Sequence, residues 1–369
     1  MSRDSERYGI SALTTRRSLG AFALIAAVVA VVGIAFVYTA GWLSPGRLTQ
    51  ARVIDRFEQV EGLHPGYRRN HPKGLCFSGW FDSNGGAQAL SDAAVFRSGR
   101  TPIFGRFSLA DGQPYMADTP DVVRAMAVDF ELSNGEVWRT AMVNIPVFPV
   151  RDLNGFYDQL TATRPDPATG KPDPARVAKF VARHPEAARA LGIIMAQPRT
   201  SGFADATYNS LNAFRFVNAS GASVPVRWSV VPEDPPRAPA TAAAFAADRN
   251  FLFDQLVSRV RSRPLSYRLV VTAAHPGDPT NDATRAWGPD RRRVVAGVLT
   301  ISAVQDEDHG ACRDVTFDPL ILPRGIAASD DPLLSPRSAT YSNDFTRRAG
   351  EPTPRAPVPV SPSSEGASS

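Results

Sequence analysis

The chain has 369 residues, 43% hydrophobic and 21% charged, enough apolar material for one large core or two ordinary ones. Forty-one Lys and Arg against 36 Asp and Glu give a formal charge of +5. The two signs are interspersed rather than gathered into a basic stripe, which argues against nucleic acid as a partner.

Residues 19–38 read LGAFALIAAVVAVVGIAFVY without a charge, the length a helix needs to cross the hydrocarbon core. Residues 19–40 are therefore read as a transmembrane helix or export signal. Arg3, Arg7, Arg16 and Arg17 precede them, which places residues 1–18 in the cytoplasm. Arg47, Arg52 and Arg56 follow, so the charge bias is modest. Arg16-Arg17 also fits a twin-arginine signal. No clear small-x-small cleavage site follows Tyr38, so a retained anchor is favoured. The rest of the chain then lies on the periplasmic or extracellular side of a bacterial envelope.

Residues 41–50 read as a linker, and 48–60 have helical spacing with Val53, Phe57 and Val60 on one side. Eight strand-like segments follow, at 75–81, 102–109, 124–132, 136–143, 213–217, 224–231, 267–272 and 294–301. Turn signals at 133–135 and 218–221 join neighbours as hairpins. Eight antiparallel strands are enough to close a barrel around a ligand. Helical patterns at 174–191 and 242–261 would cover it, with His184-Pro185 as a helix boundary. The fold class is α+β. The tail at 349–369 is rich in Pro and Ser and is expected to be disordered or extended.

Three clusters carry chemistry. His71 lies between Arg68-Arg69 and an alternating apolar run, at the inner end of a strand, where an imidazole can move protons. A lone histidine beside a strand is more often structural, so the weight comes from the others. Asn144 ends a strand with a side chain that both donates and accepts. On a helix, Arg337 and Tyr341 share a face, so the guanidinium can lie against the phenol oxygen. A free tyrosine has a pKa near ~10, and ionising it at neutral pH costs roughly 4 kcal/mol. A ferric ion and a guanidinium together can meet that requirement, and phenolate is a haem ligand.

The ordered motifs carry a resemblance. They are R-x-x-H-x-K-G at 68–74, N-x-P-V-F at 144–148, A-F-R-F-V-N-A-x-G at 213–221, G-D-P-T at 277–280 with Trp287, and F-D-P…L-P-x-G-I…S-D-D…R-x-x-x-Y at 317–341. Together the chain resembles the haem catalase superfamily, in its small catalase-related peroxidase branch, over residues 51–348. The resemblance implies an eight-stranded antiparallel barrel of the haem catalase type holding haem b. It makes His71 the distal acid–base residue and Asn144 its partner. Tyr341 becomes the axial iron ligand supported by Arg337. Arg68, Arg106 and Arg348 pair with haem propionates, Ser108 stands beside the histidine, and Phe156 lies at the haem edge.

The activity so implied is reduction of hydrogen peroxide or an organic hydroperoxide by an organic reductant, with weak catalase activity. A monomer or dimer is expected, because the long oligomerising arms and extended C-terminal portion of true catalases have no counterpart, and no NADPH is expected, because the family's nucleotide-contacting histidine has none in 208–214. Two rival readings stand beside it. The same scaffold rearranges lipid hydroperoxides, and His71, Cys76, His309 and Cys312 offer a loosely spaced two-His two-Cys set for a non-haem metal. The two cysteines are alternatively a disulfide, as an oxidising compartment allows, or two buried free thiols. A Cys76–Cys312 bridge would close a long loop, worth about 4 kcal/mol in the chain-entropy model. Trp80, Trp138, Trp228 and Trp287 read as packing, His64 and His275 as solvated loop residues. Lys73 could reach solvent or a propionate.

Overall fold

The computed structural model describes residues 16–39 and 48–360. The helix α1 (Arg16–Thr39) stands as a unit of its own, and its segment Leu19–Thr39 is long and apolar enough to cross a membrane, as an anchor or a signal sequence. The cytoplasmic segment expected up to residue 15, the linker at 40–47 and the end of the Pro/Ser-rich tail at 361–369 lie outside the described residues.

The second unit begins at α2 (Gln50–Glu61), whose buried Val53, Ile54 and Phe57 form one apolar stripe. Then come β1 (Gly74–Ser83), β2 (Gly99–Leu109), β3 (Arg124–Glu131) and β4 (Val137–Val143), each antiparallel to the next. The helices α3 (Leu153–Thr163), α4 (Pro174–Arg183) and α5 (Pro185–Met195) follow. The second half holds β5 (Tyr208–Asn209), β6 (Phe214–Val217), β7 (Ser223–Pro232), α6 (Ala242–Ala247), α7 (Phe251–Ser262), β8 (Leu265–Ala273), β9 (Arg293–Gln305), β10 (Ile326–Ala328) and α8 (Leu334–Ala349).

Pairing of β7 with β8 and of β9 with β1 closes an eight-stranded antiparallel barrel. Alternation fills it: Val226, Trp228 and Val230 on β7, and Leu265, Tyr267, Leu269 and Val271 on β8, are buried while their neighbours face outward. Trp138 packs edge-on against Trp228 at 5.2 Å and stacks on Phe130 at 4.7 Å. Trp138 and Trp228 are thus core, as expected.

Three expectations need correcting. The segment expected at 213–217 does not close the barrel; β5 pairs with β4 and β7, and among the described residues β6 pairs with β7 and β10 alone. One strand is in effect split by Ser210-Leu211-Asn212-Ala213, where Leu211 takes φ 61°. The helical stretch expected at 174–191 has its expected boundary at His184-Pro185, because proline has no N–H to continue the first helix. That expected at 242–261 breaks before Asn250, which opens α7. Finally, the tail through Val360 lies against the domain. Val358 is wholly buried and belongs to the main core, which composition concealed.

Candidate active site

His71 has a backbone that few non-glycine residues adopt, φ 61°. Three hydrogen bonds impose it. Its N–H donates to Asp111 O at 2.8 Å and to Asn70 Oδ1 at 3.0 Å, and its carbonyl accepts from Arg106 Nη1 at 2.7 Å. Arg106 Nη2 also binds Pro72 O at 2.9 Å. Gly74 makes this possible, since a Cβ there would lie 2.5 Å from the Arg106 guanidinium carbon. Strain of this kind persists where surrounding structure over-determines it.

The imidazole lies beside Ser108, Nδ1 to Oγ at 3.3 Å. Burial, then the charges of Arg106, Arg337 and Arg68, push its pKa down to about 3. It is therefore neutral at physiological pH. The influence of Arg337 also sets the helix α8 within electrostatic reach of His71.

On α8, Arg337 Nη2 donates to Tyr341 Oη at 3.3 Å, four residues on. Its Nη1 donates to Asn212 Oδ1. Asn212 Nδ2 in turn donates to Asp331 Oδ2 at 2.9 Å, and Asp331 Oδ1 accepts from Leu333 N at 3.0 Å beside the start of α8. The split in the β5–β6 strand thus turns Asn212 toward the arginine. Asn144 closes β4 with its Oδ1 accepting from Arg124 N at 2.8 Å, which anchors the oxygen end of the amide and leaves Nδ2 as its donor end. No hydrogen bond joins Asn144 to His71 among the described residues. Phe156, on α3, packs between Phe57 at 5.8 Å and Phe148 at 5.9 Å.

The three arginines expected to share one role do converge, around a carboxylate the sequence did not mark. Glu307 Oε1 accepts from Arg68 Nη1 at 2.9 Å and from Arg106 Nε at 2.7 Å. Burial raises the pKa of Glu307, but Arg106 and Arg68 outweigh that and hold it below the usual range. Arg348 Nε lies 3.4 Å from Asp344 Oδ2 yet is buried without a hydrogen-bond partner among the described residues. Burial and neighbouring Arg106 pull Arg68 down to about 9. Three guanidiniums thus face one anionic Glu307 and one Asp344 whose charged form burial disfavours. The cluster is short of negative charge, and its chemistry suits carboxylates.

The catalase family profile matches residues 37–366. This chain belongs to the catalase family. With the family goes its enzyme class, a haem peroxidase oxidoreductase. The family member is 37% identical over 325 residues to a catalase-related peroxidase of Synechococcus elongatus, covering 88% of this chain and 94% of that one. It is 32% identical over 306 residues to a catalase-related peroxidase of Mycolicibacterium paratuberculosis, at 83% and 96% coverage. In structure it is similar to a bacterial catalase (TM-score 0.68, 20% identity, 82% of this chain) and to catalase A from Saccharomyces cerevisiae (0.68, 18%, 82%). It spans 61% and 65% of those chains.

The two-His two-Cys metal set is overturned. Cys76 and Cys312 are joined in a disulfide, so neither sulfur is a thiolate ligand, and no metal-holding cluster occurs among the described residues. Lys73 reaches neither solvent nor the arginine cluster. It is buried, donating to Asp118 at 2.7 Å and to the carbonyls of Met116 and Arg249. Glu307, Asn212 and Asp344 were missed. Glu307 sits inside the run Asp306-Glu307-Asp308, which reads as a solvated face because its buried arginine partners are about two hundred residues away in sequence.

Proposed function

We propose that this catalase-family enzyme is a haem b peroxidase that reduces hydrogen peroxide or an organic hydroperoxide with an organic electron donor and has weak catalase activity. The observation that carries the reading is a neutral, hydrogen-bonded His71 that feels the charge of Arg337, itself hydrogen-bonded to Tyr341, beside an arginine cluster short of negative charge.

The residues fit the cofactor. Tyr341 would hold the iron as phenolate with Arg337 against its oxygen, and the surplus charge of Arg68, Arg106 and Arg348 would take the propionates. Of the three, Arg348 has a buried Nε without a hydrogen bond among the described residues, while Arg106 is engaged by Glu307 and the His71 main chain. Phe156 would flank the ring edge. Bound haem supplies redox-active iron as the electrophile for peroxide.

The chain's own residues then manage protons. With Nδ1 held beside Ser108, His71 Nε2 takes a proton from one peroxide oxygen and delivers it to the other, which leaves as water as the O–O bond breaks; two electrons and two protons from the organic donor would reduce the remaining oxygen to a second water. Asn144 Nδ2 donates toward the oxygen on which negative charge builds. Arg106, through the His71 carbonyl, keeps the imidazole in place.

The organic donor is supported by the high coverage of two catalase-related peroxidases, whose length this chain nearly matches. The helix α1 supports an envelope location, and it also favours lipid hydroperoxides as the second reading. The test is the visible spectrum of the full chain in detergent with ferric haem, before and after peroxide, alongside oxygen release and oxidation of a phenolic donor. Haem uptake, a peroxide-dependent spectral change and donor oxidation exceeding oxygen release are expected. No haem uptake would sink the reading, dominant oxygen release would make the enzyme a catalase, and faster turnover of fatty acid hydroperoxide than of hydrogen peroxide would favour the second reading.

A further inference from the structure

Arg68 lies in an irregular loop, where the 62–73 backbone alone does not fix a long side chain. What fixes it is a cage. Its Nη2 donates to the carbonyls of Cys312 at 3.0 Å, Arg313 at 2.9 Å and Val315 at 3.0 Å, while Nη1 binds Glu307 at 2.9 Å. All four acceptors lie within residues 307–315, between β9 and β10, a stretch without helix or strand.

That stretch is itself held by the Cys76–Cys312 disulfide, with Cys312 N also donating to Cys76 Sγ at 3.2 Å. Cys76 is the β1 residue paired in register with Arg106 on β2. The crosslink therefore ties the carbonyl cage of Arg68 to the strand position opposite Arg106. The fit is close: a Cβ added at Gly310 would lie 2.5 Å from Cys76 Sγ.

We propose that the Cys76–Cys312 disulfide is a positioning element of the carboxylate-binding cluster, setting Arg68 and Glu307 so that the surplus guanidinium charge meets the two propionates. The inference rests on the reading of this cluster as the propionate site. It makes full assembly of the site conditional on a compartment in which disulfides form.

A crosslink that merely stabilised the fold would weaken every porphyrin alike, whereas one acting through Arg68 distinguishes porphyrins by their carboxylates. The full chain in detergent, its C76A/C312A variant and its G310A variant are titrated with ferric haem and with ferric haem dimethyl ester, whose carboxylates are masked. Binding is read by absorbance, and folding by circular dichroism. In both variants haem affinity is expected to fall about tenfold, within the range of coupling between contacting groups, while ester affinity stays at the native value. Equal weakening of both ligands, or no change in either, would overturn the positioning role. Should C76A/C312A fail to fold, G310A keeps the crosslink, displaces the loop and decides by the same criterion. A native chain that binds neither porphyrin would overturn the haem reading itself, a result distinct from equal weakening.

Discussion

At neutral pH His71 can only accept a proton, because burial and then Arg106, Arg337 and Arg68 hold its pKa near about 3 against an unperturbed 6.5. The sign of the stability effect follows. Between those values the unfolded chain binds a proton that the native chain refuses, so the cofactor-free protein loses stability as pH falls from 6.5 toward 3, by at most about 1.4 kcal/mol per pH unit for this group. Urea midpoints at pH 7 and pH 4 should therefore lie closer together in His71→Gln than in the native chain; an unchanged gap would assign the acid sensitivity to other groups. For the reaction, His71→Ala should keep haem but slow the step with peroxide by about 10²–10⁴-fold, as for lost acid–base help. Rapid mixing measures it, and a near-native rate would remove His71 from proton transfer. Tyr341→Phe should abolish or sharply weaken haem uptake, and an unchanged spectrum would place the iron ligand elsewhere.

Elements meet at this site through charges rather than through a shared apolar face. Glu307 joins the loop after β9 to β2 and to the His71 loop, so Glu307→Gln leaves buried Arg68 and Arg106 without their carboxylate. Removing one partner of a buried pair typically destabilises by about 3–5 kcal/mol. Denaturant unfolding should show that loss, and adding Arg68→Met to Glu307→Gln should recover part of it; a further loss in the double variant would deny the pairing. The same elements explain what the sequence could and could not reveal. Alternation marks the barrel strands because each buries one face, and Arg337 and Tyr341 are found because helical spacing is local. By contrast, α3 and the split at Leu211 leave no periodic signature. Asn212 and Glu307 owe their roles to partners far away in sequence, and Asp344, though one helical turn from Arg348, also accepts from the distant Arg69 N. Gly74 was visible as a motif letter, but its reason, the guanidinium packed over it, was not.

On the scale of the molecule, residues 351–360 act as a strap across the face that carries the arginine cluster. Glu351 pairs with Arg69 and accepts from Gly66 N at 2.5 Å. Ala356 N donates to Asp308 at 3.0 Å, Tyr67 Oη donates to Arg355 O at 2.7 Å, and Val358 is buried in the main core. Burying a valine contributes about 1.5–3 kcal/mol. Loss of Glu351 also leaves the buried Arg69 with Glu58 as its remaining carboxylate at 2.9 Å. A chain ending at Gly350 should therefore be less stable by about 3 kcal/mol, a fall in Tm of roughly 5 °C for a chain of this length. Val358→Asp in the full chain separates the two contributions, because it places an unpaired charge in the core yet keeps Glu351 on Arg69. If Val358→Asp lowers Tm as far as truncation or further, burial anchors the strap and the ion pair follows it. If Val358→Asp melts like the native chain while truncation does not, Glu351 is the anchor and Val358 merely fills space.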